Sequence, residues 1–426
     1  MNLSESSLKE AQQRVRNVIK RATPLQYSER LSELYWFDIY LKREDLTPVR
    51  SYKIRWAFNM ISQLTKEEKK KWIVTASAGN HAQWVALSCK KLWIHGTIFM
   101  PLTTPEQKVE RTKDIWWEFV KIILVWDTFD DSKSECIRFQ EQSWAIFIPP
   151  FDHEKIIEGQ ATVWAEIFQQ AKTETWEKVS LIIAPIGGGG LISWLILAKR
   201  VWKETAQILW VEPQSAASMR EALSTWENNG IEQIEDIFVD GACVKRVWDI
   251  PFSICSEEKI EVVTCPEDRI STTMLDLLNK DGVVTEPAWA LSIDGLKWLP
   301  KKITDELKRT NGKVVCVVSW GNFDFERLSE VKERSIKYEW LKKYYSVIFP
   351  QRPWALEEYL EECIDKSLWD DIEFIRYKKK SPSQKAPVIF AIRTKNKQRF
   401  KVIEAHMKKF GFNFTDETNN SLVDIL

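Results

Sequence analysis

Apolar positions follow two spacings in turn along the first three quarters of the chain. Leu8, Ala11, Val15 and Val18 recur every three or four residues, which predicts an N-terminal helix. Downstream, short apolar runs that predict strands alternate with segments of helical spacing. The predicted strands are residues 37–41, 73–76, 97–100, 121–125, 145–148, 181–184, 208–211 and 313–318, and the predicted helices include 53–64, 82–89, 162–171 and 191–199. Because strands separated by helices form parallel layers, the pattern predicts an α/β fold.

A different pattern begins near residue 327. Residues 327–340 are rich in Glu, Lys and Arg, and we interpret them as an exposed linker helix. Beyond it, the predicted strands 345–349, 372–377 and 387–393 and the predicted helices 355–364 and 399–410 follow in the order βαββα. That order in so short a segment predicts a separate small α+β domain of the ferredoxin-like type over residues 341–426.

Charge and cysteine usage exclude several classes of protein. Lys+Arg and Asp+Glu both number 61, so the net charge is zero and favours neither nucleic-acid nor membrane partners. No run approaches the roughly 18 apolar residues of a membrane span, and the polar start lacks a signal-peptide core. The seven cysteines have no metal-binding spacing, which argues against a zinc site and suits a reducing compartment. We therefore expect a cytoplasmic protein.

A glycine run is the most specific signal for chemistry. Gly187, Gly188, Gly189 and Gly190 follow an apolar strand and precede an apolar helix that starts at Leu191. Successive backbone N–H groups of such a run can surround a phosphate, and the helix directs its positive end at the anion. The apolar flanks disfavour a flexible linker, and the absence of a Walker lysine disfavours a nucleoside triphosphate.

Three further segments supply side chains. Lys53, within Ser51–Arg55, is by itself most simply a surface lysine, but in a partly buried site with a lowered pKa its amine would attack an aldehyde. Arg55 is assigned a structural role. The turn 77–81 fits either helix N-capping or binding of a carboxylate. Ser319 ends the last apolar strand, where α/β sheets bind ligands, although an ordinary turn serine has the same signature. Together these segments are suited to pyridoxal phosphate held as a lysine Schiff base.

These segments resemble those of the fold type II pyridoxal-phosphate enzymes, specifically the biosynthetic threonine dehydratases (threonine ammonia-lyases). The resemblance extends over almost the whole chain. The segments that carry the resemblance are 40–45, 51–55, 77–83, 157–160, 187–191, 211–213, 285–288 and 319–322. Residues 349–353 resemble the start of the family's ACT-like regulatory domain. The resemblance implies a tryptophan synthase β-like catalytic domain over 1–326, with two lobes of parallel sheet and a small lobe at about 51–150. The linker helix 327–340 and one ACT-like domain over 341–426 would follow.

The resemblance also implies roles for individual residues. Lys53 is the catalytic Schiff-base lysine, Asn80 contacts the pyridoxal oxygen, and Ser319 meets the ring nitrogen. The phosphate is implied to lie on Gly187, Gly188, Gly189, Gly190 and Leu191, and the substrate on Ser77, Ala78, Gly79, Asn80 and His81. Glu212, Ala216 and Ser218 match positions that bind a monovalent cation in some relatives, and Glu286 lies near the cofactor in relatives.

The implied reaction is the deamination of L-threonine to 2-oxobutanoate and ammonia, which opens isoleucine biosynthesis. Lys53 would take the Cα proton, the β-hydroxyl would leave as water, and the released enamine would hydrolyse. Relatives are commonly tetramers inhibited by isoleucine through the C-terminal domain, so we expect a homotetramer with an isoleucine or valine effector. One alternative is a serine dehydratase or racemase of the same cofactor family, against which the C-terminal extension argues. A second alternative is a non-catalytic amino-acid-binding relative.

The tryptophan content departs from that family. The chain has 22 Trp and only 14 Gly, although glycine usually accounts for about 7% of residues. Tryptophan stands where this family is expected to have glycine at Trp56, Trp84, Trp116, Trp117, Trp126, Trp194, Trp210, Trp248, Trp289, Trp320 and Trp354. Several such replacements at about 1–3 kcal/mol each would consume a stability of about 5–15 kcal/mol. We hypothesise that UGA codons read as glycine in the organism have been translated as tryptophan; the alternative is an altered or degenerate, inactive relative.

Overall fold

The computed structural model describes residues 4–77, 79–116, 118–125, 127–149, 153–174, 176, 178–258, 260–319, 321–349, 353–377, 386–418 and 420. The positions singled out above at Ala78, Trp117, Trp126 and Trp320 lie outside the described residues, as do the side chains of Asn80 and Trp116. The chain divides into two compact units, Met1–Phe325 and Glu326–Leu426.

The first unit alternates helices and strands. Its helices are α1 (Glu5–Ile19), α2 (Glu29–Tyr35), α3 (Ile54–Ser62), α4 (Lys66–Lys70), α5 (Asn80–Leu92), α6 (Glu106–Trp116), α7 (Phe129–Ser143), α8 (Glu154–Thr173), α9 (Gly190–Trp202), α10 (Ser218–Thr225), α11 (Asp249–Glu258), α12 (Glu267–Asp281), α13 (Pro287–Asp294) and α14 (Lys301–Thr310). Its strands are β1 (Leu25–Tyr27), β2 (Asp38–Arg43), β3 (Ile73–Ala76), β4 (Gly96–Met100), β5 (Val120–Leu124), β6 (Ile146–Phe147), β7 (Leu181–Pro185), β8 (Gln207–Pro213), β9 (Glu261–Cys265) and β10 (Lys313–Val318). Short 3-10 helices lie at Glu44–Leu46, Gln214–Ala216 and Gly295–Trp298, and a further one, Phe325–Arg327, spans the division between the units.

Two sheets organise the first unit. The larger sheet has the strand order β1-β2-β10-β7-β8-β9 and the smaller one β5-β4-β3-β6. All pairings are parallel except that of β1 with β2, which is antiparallel. The central strands β3, β4 and β7 are buried along their whole length, as expected of parallel strands covered on both faces. The predicted α/β fold of parallel layers is therefore confirmed.

Local sequence signals set the start and the buried face of the first helix. The N-terminal helix α1 is capped by Ser4, whose side chain accepts from the Ser7 N–H, and it buries Leu8, Ala11 and Val15 as the spacing predicted.

The strands β3 and β7 each lead through a short turn into a helix, α5 and α9 respectively. Parallel strands end at one edge of a sheet, so the turns that follow them are where polar groups of the first unit collect.

The second unit is a small α+β structure. Its helices are α15 (Leu328–Tyr338), α16 (Ala355–Cys363) and α17 (Arg399–Lys409), with a 3-10 turn at Lys366–Leu368, and its strands are β11 (Lys342–Phe349), β12 (Asp371–Arg376), β13 (Ala386–Arg393) and β14 (Asn413–Asp416). The strands form one antiparallel sheet in the order β12-β13-β11-β14. The ferredoxin-like prediction is confirmed, with a final strand, β14, that the sequence pattern did not indicate. No helix in the described part of the chain is long and apolar enough to cross a membrane.

Candidate functional site

A cavity of about 370 Å³ in the first unit collects most of the candidate residues. Lys53, at the start of α3, lines it together with the turn after β3 and the turn after β7. The candidate residues in its lining are Lys53, Ser77, Gly79, His81, Gly187, Gly188, Gly189, Gly190 and Leu191. Ser319, Glu212, Ala216 and Ser218 are not among the residues that line it.

The glycine run lines this cavity with bare backbone, and its members have little room for a side chain. Gly189 has φ of +90°, in the left-handed region, and a Cβ there would lie 2.6 Å from Pro251 Cβ. A Cβ on Gly187 would lie 3.3 Å from the Gly241 carbonyl oxygen. The 13-residue helix α9 begins at Gly190, so its N-terminal end is part of the same lining. Bare backbone at a helix N-terminus fits a phosphate.

Burial and the neighbouring charges shift the pKa of the Lys53 amine in opposing directions. Burial lowers the pKa of Lys53 below its ordinary value, and the carboxylates of Glu286 and Asp240 partly oppose that effect. The nearby Lys108 lowers the pKa further. The net direction is downward, so more of the amine is uncharged at neutral pH than in an exposed lysine, which is the form that attacks a carbonyl carbon.

The turn after β3 brings a second helix N-terminus to the cavity. Gly79 precedes the first residue of α5, and its N–H donates to Ser77 Oγ at 3.2 Å. His81 is buried, and its Nε2 lies 3.0 Å from Thr75 Oγ1, whereas its Nδ1 has no hydrogen-bond partner among the described residues. Burial lowers the pKa of His81 to about 3, so the ring is neutral at physiological pH. The turn therefore offers neutral donors and a helix N-terminus, which suit a carboxylate.

Ser319 follows β10 and is adjacent to the segment that carries Lys53. Its carbonyl accepts the N–H of Tyr52 at 2.9 Å, and its side chain is fully buried. Its Oγ has no hydrogen-bond partner within the described part of the chain. A buried hydroxyl without a partner fits a ligand atom that accepts or donates one hydrogen bond, such as a pyridine nitrogen.

The three residues considered for a cation lie elsewhere. Glu212 is buried at the end of β8, and its carboxylate accepts the N–H groups of Met219 (2.8 Å) and Arg220 (3.0 Å) in α10. Burial raises the pKa of Glu212 to about 8 against the effect of those two hydrogen bonds. Ser218 Oγ donates to the Val244 carbonyl. The described residues contain no group of three or more His, Cys, Asp or Glu suited to a metal ion, and the monovalent-cation site stays a prediction.

Several residues of the lining were not predicted from the sequence. They include Tyr52, Lys108, Gln160, Asp240 and Trp248. Glu286 also lines the cavity, and the resemblance implied only that it lies near the cofactor. Glu286 accepts the Asn322 N–H at 2.9 Å, and Lys108 Nζ lies 3.7 Å from Asp240 across the cavity lining. The segments 157–160 and 285–288, which carried the resemblance, contain Gln160 and Glu286. No local pattern marked Lys108 or Asp240.

A buried ionic cluster holds the segment that carries Lys53. Arg55 donates to both carboxylate oxygens of Glu44 and both of Glu166 at 2.8–2.9 Å, and Lys42 Nζ lies 2.9 Å from Glu166. Arg55, Glu44 and Lys42 are fully buried. Two cations and two carboxylates balance in charge. Arg55 ties the start of α3 to Glu44, in the 3-10 helix that follows β2, and to Glu166 in α8.

Comparisons with known proteins agree with this geometry. The family model for pyridoxal-phosphate-dependent enzymes matches residues 18–319, and the model for the C-terminal regulatory domain of threonine dehydratase matches residues 333–426. The chain is 42% identical over 418 residues to the biosynthetic L-threonine dehydratase IlvA of Halalkalibacterium halodurans, covering 98% of this chain and 97% of that protein. It is 41% identical over 396 residues to the enzyme of the same name from Staphylococcus epidermidis, covering 92% of this chain and 91% of that protein.

Solved structures agree as well. The processed form of threonine deaminase isoform 2 from Solanum lycopersicum matches with a TM-score of 0.69 and 31% identity, over 78% of this chain and 95% of that one. Maize serine racemase matches with a TM-score of 0.69 and 26% identity, over 79% of this chain and 99% of that one. The fold, the cavity and these likenesses lead to one conclusion: the chain belongs to the pyridoxal-phosphate-dependent enzymes and, within them, to the family of biosynthetic L-threonine dehydratases.

Proposed function

We propose that this chain is a threonine ammonia-lyase, which converts L-threonine to 2-oxobutanoate and ammonia with pyridoxal phosphate as cofactor. The observation that carries the proposal is the cavity in which the Lys53 amine, with a lowered pKa, shares one lining with the glycine run. That arrangement occurs in a chain 42% identical to a biosynthetic threonine dehydratase over nearly its full length. This reaction is the first step of isoleucine biosynthesis.

The cofactor-binding roles are assigned by fit. Gly187 to Gly190, with Leu191 and the N-terminus of α9, would hold the phosphate, because their bare backbone lines the cavity at a helix N-terminus. Ser319 Oγ, buried without a partner in the described structure, would meet the ring nitrogen. Lys53 would hold the aldehyde carbon, and Asn80 is assigned to the ring oxygen. When bound, pyridoxal phosphate supplies an electron sink for the charge left on Cα.

The chain's own groups divide the remaining work. The Lys53 amine, whose pKa burial lowers, is the base assigned to the Cα proton. The segment 77–81 is assigned to the threonine carboxylate, which the N-terminus of α5 would attract. Burial lowers the pKa of His81 to about 3, so the ring is neutral and cannot act as an imidazolium acid. His81 is therefore assigned to orienting the substrate. The β-hydroxyl would leave as water with the proton that Lys53 has taken from Cα, and the released enamine would hydrolyse to 2-oxobutanoate and ammonia.

Regulation is assigned to the C-terminal part of the chain. Residues 1–326 are proposed as the catalytic domain, with a small lobe at about 51–150, 327–340 as a linker and 341–426 as an ACT-like regulatory domain. The match of residues 333–426 to a threonine dehydratase regulatory domain supports feedback control by a branched-chain amino acid, with isoleucine as the first candidate and valine as the second. A cytoplasmic homotetramer completes the proposal, and Glu212, Ala216 and Ser218 remain the proposed monovalent-cation residues.

The decisive experiment measures 2-oxobutanoate formed from L-threonine by the purified holoprotein, made with its UGA codons decoded as glycine, together with the visible absorbance of bound cofactor. Lys53→Ala is expected to abolish both signals, and Lys53→Arg, which keeps the charge, is expected to abolish them equally because a guanidinium cannot bond to the aldehyde. The proposal fails if the unmodified protein binds the cofactor but leaves threonine unchanged.

Two comparisons separate the remaining alternatives. A serine dehydratase or racemase would prefer L-serine over L-threonine in parallel kcat/KM measurements, and isoleucine would not change its rate. A non-catalytic amino-acid-binding protein would bind isoleucine by calorimetry without any turnover. We expect threonine to be preferred and isoleucine to slow the reaction.

A further inference from the structure

Seven tryptophans have a backbone conformation that suits glycine. Among the described residues, the tryptophans with positive φ are Trp36, Trp93, Trp144, Trp226, Trp340, Trp354 and Trp369, with φ between 55° and 68°. Within the part of the chain that the structure describes, they outnumber the four glycines with positive φ, and four other residues share the conformation. L-residues with a Cβ are strained in the left-handed region, which glycine enters freely.

The places of these residues are those that favour glycine most. Trp36, Trp93, Trp144 and Trp226 each follow the last residue of a helix, at the C-terminal cap of α2, α5, α7 and α10. Glycine is the usual residue there because the cap needs a left-handed residue. All seven side chains are 52–78% exposed, so the indoles bury little area that could offset the strain. Trp93 contacts the ring of Phe119 and Trp369 lies under Lys395, but both contacts are at the surface.

Six other tryptophans are buried in a way that leaves the indole unsatisfied. They are Trp56, Trp84, Trp164, Trp194, Trp210 and Trp289, each no more than 1% exposed. The Nε1–H of every one has no hydrogen-bond partner among the described residues. Buried indoles normally find an acceptor, so six without one point to positions that did not evolve to hold an indole.

Two tryptophans crowd the cavity itself. A Cβ on Gly159 of α8 would lie 2.4 Å from Trp56 Cα, so α3 and α8 touch backbone to backbone at Trp56, as helices do where small residues meet. The Trp56 ring then stacks on His81, with 4.5 Å between ring centroids. Ring atoms of Trp248 lie 2.1–2.3 Å from the point that a Cβ of Gly188 would occupy. The Trp248 indole therefore covers the glycine run.

We propose that the functional protein carries glycine at these positions, through UGA codons that its own organism decodes as glycine. The positions are Trp36, Trp56, Trp84, Trp93, Trp144, Trp164, Trp194, Trp210, Trp226, Trp248, Trp289, Trp340, Trp354 and Trp369. At the seven positions with positive φ, glycine removes the strain of a Cβ in left-handed backbone. At the six buried positions, it removes an indole N–H without a partner in the described structure. At positions 56 and 248, it also removes a ring from the cavity. Only the assignment of the cleared space to a phosphate rests on the proposed function.

Peptide mass spectrometry of the protein purified from its own organism tests the proposal directly. Peptides that cover positions 36, 93, 210 and 248 are expected to be lighter than the printed sequence requires, by the difference between an indolylmethyl group and a hydrogen at each position. Masses that match tryptophan at these positions would overturn the proposal, whatever the activity of the protein.

Recombinant protein gives an independent readout through folding. The chain with glycine at all the proposed positions is expected to be soluble and to melt at a higher temperature than the chain as printed. Within the printed chain, Trp36→Gly is expected to raise the melting temperature more than Trp36→Ala, because alanine keeps the Cβ that strains the cap. Equal effects of the two substitutions would remove the backbone argument.

The cavity part of the proposal has its own comparison. Two versions of the glycine-containing protein are compared. One carries tryptophan at position 248 and glycine at all the other proposed positions, and the matched version carries tryptophan at position 36 and glycine at all the others. Pyridoxal phosphate is titrated into both and its visible absorbance is recorded. The first version is expected to lose at least tenfold in cofactor affinity and the second to bind like the parent. Equal affinity in both would show that the Trp248 indole does not cover the cofactor's position.

Discussion

The chemistry of the site depends on the charge state of one amine. Burial lowers the pKa of Lys53 from its ordinary value of 10.5, and Glu286 is the largest influence in the opposite direction. The uncharged amine is the form that captures the cofactor, so the capture rate is expected to rise with pH and to reach its midpoint below pH 10.5. Stopped-flow absorbance of the apoprotein mixed with pyridoxal phosphate, recorded across a pH series, measures the profile.

Glu286→Gln provides the internal check on that profile. The amide oxygen can still accept the Asn322 N–H, but the negative charge that raises the Lys53 pKa is gone. The profile is expected to move to lower pH, and a shift to higher pH would contradict the assignment of charges around Lys53.

A single helix cap isolates the cost of a side chain in left-handed backbone. Gly282 ends α12 with φ of +64°, and a Cβ there would meet nothing within 4 Å. Gly282→Ala is therefore expected to lower the free energy of unfolding by about 1–2 kcal/mol through backbone strain alone. Gly282→Asn is expected to cost less, because asparagine tolerates this conformation. Urea denaturation of the three proteins measures both differences.

Residues of the site differed in how far the sequence revealed them. The glycine run and Lys53 were predictable, because four glycines between an apolar strand and an apolar helix have few structural explanations. Lys108 and Asp240 were not, because Lys108 is one of several charged residues on α6, Asp240 is a single acid in a loop, and only the tertiary structure places them 3.7 Å apart. The tryptophans were suspected from composition, but their left-handed backbone became visible only in three dimensions.

At the level of elements, α3 is held by ion pairs that lie out of water. Arg55→Ala would leave the carboxylates of Glu44 and Glu166 buried without their guanidinium, and we expect a loss of about 3–5 kcal/mol in unfolding free energy. Lys9→Ala is a suitable contrast, because its pair with Glu5 is exposed and is expected to matter little. Urea denaturation followed by circular dichroism compares the variants. A small effect of Arg55→Ala would mean that α3 is fixed by apolar packing instead.

The same cluster predicts acid sensitivity. Burial alone would raise the pKa of Glu166, but the charges of Arg55 and Lys42 outweigh it and hold that pKa below 4.5. A carboxyl with a depressed folded-state pKa stabilises the protein above its unfolded value and loses that contribution as pH falls through the folded one. Stability is therefore expected to be level near neutral pH and to fall below about pH 4.5. Glu166→Gln should flatten this dependence in urea titrations at several pH values.

Prediction of elements succeeded where burial was complete. The strands β3, β7 and β10 were indicated at almost their observed bounds because each is a continuous apolar run with both faces covered. The strands β1, β9 and β14 were missed. β14, for example, is Asn413–Asp416, mostly exposed, and forms only by pairing with β11 at the sheet edge. An edge strand of that kind depends on its partner and carries no apolar signature of its own.

At the scale of the whole molecule, the second unit has its own apolar core. Phe349, Tyr359, Phe390, Ile403 and Met407 are buried together between the antiparallel sheet and its helices. A unit with a separate core can lose stability without unfolding its neighbour. Catalysis and control by an effector are then expected to be separable by substitutions in one core.

Two adjacent residues of β11 make that test sharp. Phe349 is fully buried, whereas Ile348 on the opposite face of the strand is 39% exposed. Phe349→Ala is expected to destabilise the second unit by about 3–5 kcal/mol, because it leaves a cavity in the core, while Ile348→Ala should cost far less. Phe349→Ala should therefore add an early transition in differential scanning calorimetry and abolish inhibition by isoleucine, while threonine turnover and the cofactor absorbance persist at moderate temperature. If turnover fell in parallel with inhibition, the two units would unfold as one, and the regulatory part could not be described as independently stabilised.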